Sequence, residues 1–129
     1  MNLAASSSTA LTLRLFLSQQ WLSNVKRTVR ATTYESYCSH VRCHLIPLLG
    51  DVWLQDLSPV ELNAFYERLL SSGLSVGTVR RIHATLRRAL RDAVRWGLLP
   101  QNPAIDADPP RDRGHEFREM QTWTAAQLR

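Results

Sequence analysis

The stretch SVGTVRRIHATLRRALRDAVRWG, residues 75–97, decides the fold of this chain. At about 100° per residue, Val79, Ile82, Leu86, Ala89, Leu90, Ala93 and Trp96 gather on one side. Arg80, Arg81, Arg87, Arg88, Arg91 and Arg95 fall within a stripe about 120° wide on the other. A single long helix then has a core-facing surface and a cationic surface at once. Ser75 supplies its N-cap and Gly97 its stop. Six like charges on one face repel, and only Asp92 interrupts the series. A polyanionic partner is the simplest reason for a fold to tolerate that repulsion.

The residues upstream read as three further helices. Ser58, Pro59 and Glu61 combine an N-cap, a proline at the first helical position and a reciprocal glutamate, which opens a third helix running to about Ser72. It buries Leu62, Phe65, Tyr66 and Leu69 and ends at Gly73. Leu48 to Leu57, with a turn at Gly50 and Asp51, is too short for a strand pair and reads as a packed connector. Thr32 with Glu35 forms a capping box for a second helix, whose core stripe is Tyr34, Tyr37, Cys38, Val41 and Leu45. Facing away are Thr33, Ser36, Ser39, His40, Arg42 and Cys43, a polar surface without a carboxylate. This helix is expected to stop before Pro47, which disfavours helical geometry at Ile46. A first helix, capped by Thr12 and running to about Val25, buries Leu13, Phe16, Leu17 and Trp21. Lys26, Arg27 and Arg30 form a basic loop after it.

Downstream of Gly97, Pro100 and Pro103 forbid further helix. The stretch from Pro103 to Arg118 holds three prolines, three aspartates and three arginines, the composition of a linker. Trp123 to Leu128 reads as a capped helix of a single turn, too short to be stable by itself. The expected organisation is a disordered lead over 1–10, a helical domain over 11–104, a linker over 105–121 and the truncated start of a second domain over 122–129.

The chain has 129 residues, enough for one domain with its own core, and a formal net charge of +5. Fifteen of its sixteen cations are arginine, whose planar fork grips phosphates bidentately. Cys38 and Cys43, five apart on a helix, point about 140° from each other and do not bridge. His40 and His44 stand at i, i+4 with no third ligand in view, so no metal and no cofactor are expected. Residues 1–10 lack a basic start before an apolar run, and 11–22 are broken by Arg14 and two glutamines. Neither a signal peptide nor a membrane span is expected, and a reducing, cytoplasmic setting is the default.

Read together, these segments resemble the core-binding, SAM-like domain of tyrosine recombinases, the phage-integrase family. The residues that carry the resemblance are Thr33 to Tyr37, Leu45 to Gly50, Leu57 to Pro59, Gly73 to Ser75 with Thr78 and Val79, and Gly97 to Leu99 followed by Asn102 and Pro103. Thr122 to Leu128 is similar to the opening of that family's catalytic domain. The resemblance implies an all-α, compact four-helix bundle that clamps one side of a recombination site in double-stranded DNA, with a linker to a catalytic domain missing here. It places Thr33, Ser36, His40 and Arg42 of the second helix, and Thr78, Arg81, Arg88, Arg91 and Arg95 of the fourth, toward DNA, with Arg30 of the basic loop beside them. The family cleaves DNA with a tyrosine while arginines, a histidine and a lysine stabilise the phosphate in the transition state. Those residues belong to the catalytic domain. Tyr34, Tyr37 and Tyr66 all fall on core-facing stripes, so no strand cleavage is expected from this chain, and homo-oligomers on DNA only from the intact parent. No small-molecule substrate is implied.

Two rival readings use the same residues. A helix-turn-helix regulator would place its turn at Ser71 to Leu74, but such a helix reads bases with its first turns, whereas the arginines persist to Arg95. A basic protein-interaction bundle would use Trp53 and Trp96 as exposed anchors.

Overall fold

The computed structural model describes residues 11–111. Four helices account for most of them, and the only β-type pairing among these residues is an isolated bridge between Thr12 and Trp53. The expectations for 1–10, for 112–121 of the linker and for 122–129 lie outside the described residues.

Helix α1 joins Leu13–Leu15, a π-helical turn Phe16–Trp21 and Leu22–Val25. Thr12 caps it, its hydroxyl accepting from Leu15 N–H at 3.2 Å. The wide turn brings Trp21, five residues on, back beneath Phe16. Phe16, Leu17 and Trp21 are therefore buried together with Leu13. The connector holds the start of α1: Leu13 N–H donates to the Val52 carbonyl at 2.9 Å and Leu54 N–H to that of Leu11 at 2.7 Å. Leu54 and Leu57 are buried there, while Trp53 stays 48% exposed.

Helix α2 departs from expectation at both ends. It comprises Ala31–His40, a π-helical turn Val41–Leu45 and Ile46–Leu49. Its N-cap is the extended residue Arg30, with no side-chain cap, and Tyr34 N–H closes the first turn on the Arg30 carbonyl at 2.9 Å. Thr32 thus lies inside the first turn and caps nothing. Nor does the helix stop before Pro47. Ile46 N–H reaches back five residues to the Val41 carbonyl, which widens the turn ahead of the proline. The ring, which brings no N–H of its own, is seated without breaking the helix. Cys38, Val41 and Leu45 are buried as expected, and Tyr34 and Tyr37 pack at the core margin.

Helix α3, Pro59–Ser71, starts on Ser58, which accepts from Glu61 N–H at 3.2 Å. Helix α4, Val76–Arg95, starts on Ser75, which accepts from Thr78 N–H at 3.1 Å. Both end alike. Gly73 has φ +108 and Gly97 φ +80, which lets Leu74 N–H return to the Leu69 carbonyl and Leu98 N–H to that of Ala93. Helix α4 packs against the other three helices. All its expected core residues are buried except Trp96, which is half-buried with its edge on Phe16, ring centroids 5.9 Å apart. Core packing, not an exposed anchor, is the role of Trp96.

Beyond α4 the chain returns along the bundle as a strap. Pro103, Ala104 and Ala107 are buried. Asn102 Nδ2 donates to the Arg87 carbonyl at 3.1 Å, and Asp108 N–H to Asn63 Oδ1 at 2.6 Å. The first residues of the stretch read as a linker, 105–111, thus lie against α3 and α4.

Candidate nucleic-acid interface

The outer face of α4 carries the arginine stripe, and its two flanks meet different neighbours. On the α2 side, Thr85 is 2% exposed. Its hydroxyl donates to the Arg81 carbonyl at 3.2 Å and contacts His40 Nδ1 at 2.8 Å. A hydroxyl has one proton to give, so His40 donates from Nδ1 and its Nε2 lone pair is left for another partner. Burial, then His44 and Arg81, hold the His40 imidazole below its ordinary range. Arg88 lies over the Tyr37 ring, 6.0 Å from its centroid, with Nη1 at 3.5 Å from the tyrosine hydroxyl. Its Nε is shut away from solvent without a partner among the described residues.

On the other side, Tyr66 is 1% exposed and its hydroxyl meets His83 Nδ1. Burial raises the tyrosine pKa, so it stays protonated and donates. Burial, then Arg87 and Arg80, lower that of His83, so the ring is neutral and carries its proton on Nε2. A recess of about 680 Å³ lies between this flank and the strap, lined by Arg80, Arg87 and Arg91 against Ile105, Ala107 and Pro109. Arg80 Nη1 donates to the Pro110 carbonyl at 2.8 Å across it.

The C-terminal end of the face is different again. Asp92 is 3% exposed. Its Oδ2 accepts from Trp21 Nε1 at 2.9 Å, and its Oδ1 from Arg95 Nη1 at 3.0 Å and Arg91 Nη2 at 3.5 Å. Among the described residues, Arg80, Arg81, Arg87 and Arg88 pair with no carboxylate.

Of the residues singled out in the sequence, the fold brings Tyr37 and His40 of α2 against Arg88 and Thr85 of α4. Thr33 lies one turn before Tyr37, and Ser36 one turn before His40, so both continue this edge. Thr78 and Arg81 share it from α4, where Arg81 Nη2 contacts the Thr78 hydroxyl at 3.4 Å. Arg30 is at the start of α2, a turn before Tyr34. Arg42 is exposed in the π-helical turn of α2. Sequence reasoning kept Arg80 and Arg87 in the stripe but not among the candidate contacts, and took Asp92 for a surface interruption. The Asp92–Arg95 spacing of i, i+3 hinted at a pair, whereas the Trp21 donor, 71 residues away, left no local signal.

The family described as phage integrase, N-terminal SAM-like domain, matches residues 16–70. A solution structure of a phage integrase SAM-like domain from Moorella thermoacetica superimposes with a TM-score of 0.69 at 39% identity, covering 80% of this chain and 88% of that one. This chain belongs to the phage integrase SAM-like family. A second solution structure, the integrase-like domain from Bacillus cereus, aligns with a TM-score of 0.71 over 78% of this chain and 85% of that one; at 24% identity it speaks to the fold alone. An integrase of Saccharopolyspora erythraea is 32% identical over 104 residues. That alignment takes in 78% of this SAM-like chain and 24% of the integrase, so the chain spans about a quarter of its curated relative. Among the described residues, no helix is long and apolar enough to cross a membrane.

Proposed function

We propose that this SAM-like domain binds duplex DNA through the outer face of α4 and the adjoining edge of α2, as the core-binding part of a site-specific tyrosine recombinase. The supporting observation is the α4 face itself, where six arginines share one side with a single carboxylate that is buried. The proposed contacts are Thr33, Ser36 and His40 from α2, and Thr78, Arg81, Arg88, Arg91 and Arg95 from α4. Arg80 and Arg87 belong with them because they share the outer face. Arg30, at the start of α2, and Arg42, in its π-helical turn, extend the set. Most of these side chains would hold phosphates and fix register, and one or two would fork onto guanine edges.

Strand cleavage and rejoining are assigned to parts of the recombinase outside this domain. Tyr66 is buried with its hydroxyl committed to His83, and Tyr34 and Tyr37 pack against the core.

Salt dependence of duplex binding, read by fluorescence anisotropy, tests the reading. Neutralising Z phosphates gives a log–log slope of about −0.9Z, with affinity on the order of micromolar at physiological salt. Replacing Arg81 and Arg87 with alanine should flatten the slope by about one for each phosphate left without its guanidinium, with helicity unchanged. A flat response in the parent protein would dismiss DNA as the partner.

A further inference from the structure

Asp92 is the only acid on α4, and it is held from two directions. Trp21 Nε1, from α1, donates to one oxygen at 2.9 Å; Arg95 at 3.0 Å and Arg91 at 3.5 Å donate to the other. Its side chain is 4% exposed, against 64% for Arg95 and 57% for Arg91. The carboxylate is thus fixed from below by the indole, while the two cations approach it from the solvent side. A surface aspartate swings away when a competing anion arrives. This one cannot, because leaving would strand a buried indole N–H and unpack its neighbours.

We infer that Asp92 is a built-in counter-anion, occupying the place of one phosphate at the C-terminal end of the α4 face and limiting how much of its charge reaches DNA. The inference rests on the DNA-binding reading above. Counter-ion release follows the phosphates a face neutralises, and the cluster of Arg91, Asp92 and Arg95 offers one net positive charge, not two. The cationic face is therefore graded. Among the described residues, Arg80, Arg81, Arg87 and Arg88 have no carboxylate partner, whereas Arg91 and Arg95 present a guanidinium pair already half-satisfied. Asp92 is a positioning residue in this scheme: it acts on DNA through the arginines it holds, without touching it.

The experiment compares salt slopes of the intact protein on one duplex. Asp92→Asn keeps an acceptor for Trp21 Nε1 and removes the charge, and the slope should steepen by about 0.9. Between about 50 and about 200 mM salt, its affinity should fall by a further factor of about 3.5 beyond the parent's loss. Asp51→Asn is the control. Asp51 also pairs with an arginine, Arg14 at 3.0 Å, but away from α4, so the same added charge should leave the slope unchanged. The double variant Asp92→Asn with Arg95→Gln removes the internal pair at constant net charge and should return the parent slope. If Asp92→Asn fails to fold, side-chain NMR of the unmodified protein decides: on adding duplex, the Arg87 guanidinium signals should shift strongly and those of Arg95 little. A parent that binds with a steep slope which Asp92→Asn leaves unchanged or flattens overturns the counter-anion, as do equal shifts at Arg87 and Arg95. A parent with no salt dependence overturns the DNA reading instead.

Discussion

The two ends of the α4 outer face carry the same side chain in opposite situations. Toward the N-terminus, Arg80 and Arg81 hydrogen-bond a carbonyl and a hydroxyl and, among the described residues, no carboxylate, and the positive end of the helix dipole adds to their field. Toward the C-terminus, Arg91 and Arg95 converge on a buried carboxylate, and Arg95 also offsets the negative end of the dipole. Charge counted along a sequence is therefore not charge available to a partner. What a guanidinium can do depends on what already holds it, and here that changes within three helical turns.

The largest way to break this contrast is to remove the support under its C-terminal end. Trp21→Ala deletes a fully buried ring and the donor to Asp92, and should cost about 3–5 kcal/mol in chemical denaturation. Trp21→Phe fills most of the volume but leaves the carboxylate short of a donor, for which about 1–3 kcal/mol is expected. The open end is guarded by its cap: Ser75→Ala should cost about 1 kcal/mol and fray the turn bearing Thr78, seen as faster amide exchange there. Arg87→Ala and Arg95→Ala sharpen the contrast directly. The first should leave stability within about 0.5 kcal/mol. The second should cost up to about 1 kcal/mol, since its partner is buried although Arg95 itself is well solvated. Last comes the pH response of the two flanks. His40 and His83 both have folded pKa values below the ordinary 6.5. The unfolded chain therefore takes up protons first, and stability should be full above pH 6.5 and decline as pH falls below it. Thermal melts of His83→Gln should show a shallower decline than the parent protein.

Sequence periodicity made α4 legible because a straight helix keeps its 3.6-residue repeat for twenty residues, and every step places the next apolar side chain correctly. The caps at Thr12, Ser58 and Ser75 and the stops at Gly73 and Gly97 were legible for a similar reason: each is an interaction within a few residues. Helix α2 was harder. Thr32 and Glu35 have the spacing of a cap, but that spacing also fits inside a helix, and the extended Arg30 backbone starts the turn two residues earlier. Pro47 reads as a breaker until the π-turn before it is known, and nothing in Val41 to Leu45 announces a widened turn. At the candidate site, the arginine stripe was visible as a pattern. The burial of Asp92 was not, because an aspartate is buried only where a distant donor such as Trp21 meets it.

The strap after α4 has a mechanical consequence. Its anchors are the Asn102 amide on the Arg87 carbonyl, the Asp108 N–H on Asn63, and the Pro110 carbonyl under Arg80. Two of the three attach to the arginine helix itself. A tug on the chain at residue 111 is thus borne first by the residues that carry the positive charge, and the earliest bond to yield is the one nearest the pull, at Arg80. Replacing Asn63 with alanine would remove the one anchor on α3 and pass that share of the load to α4.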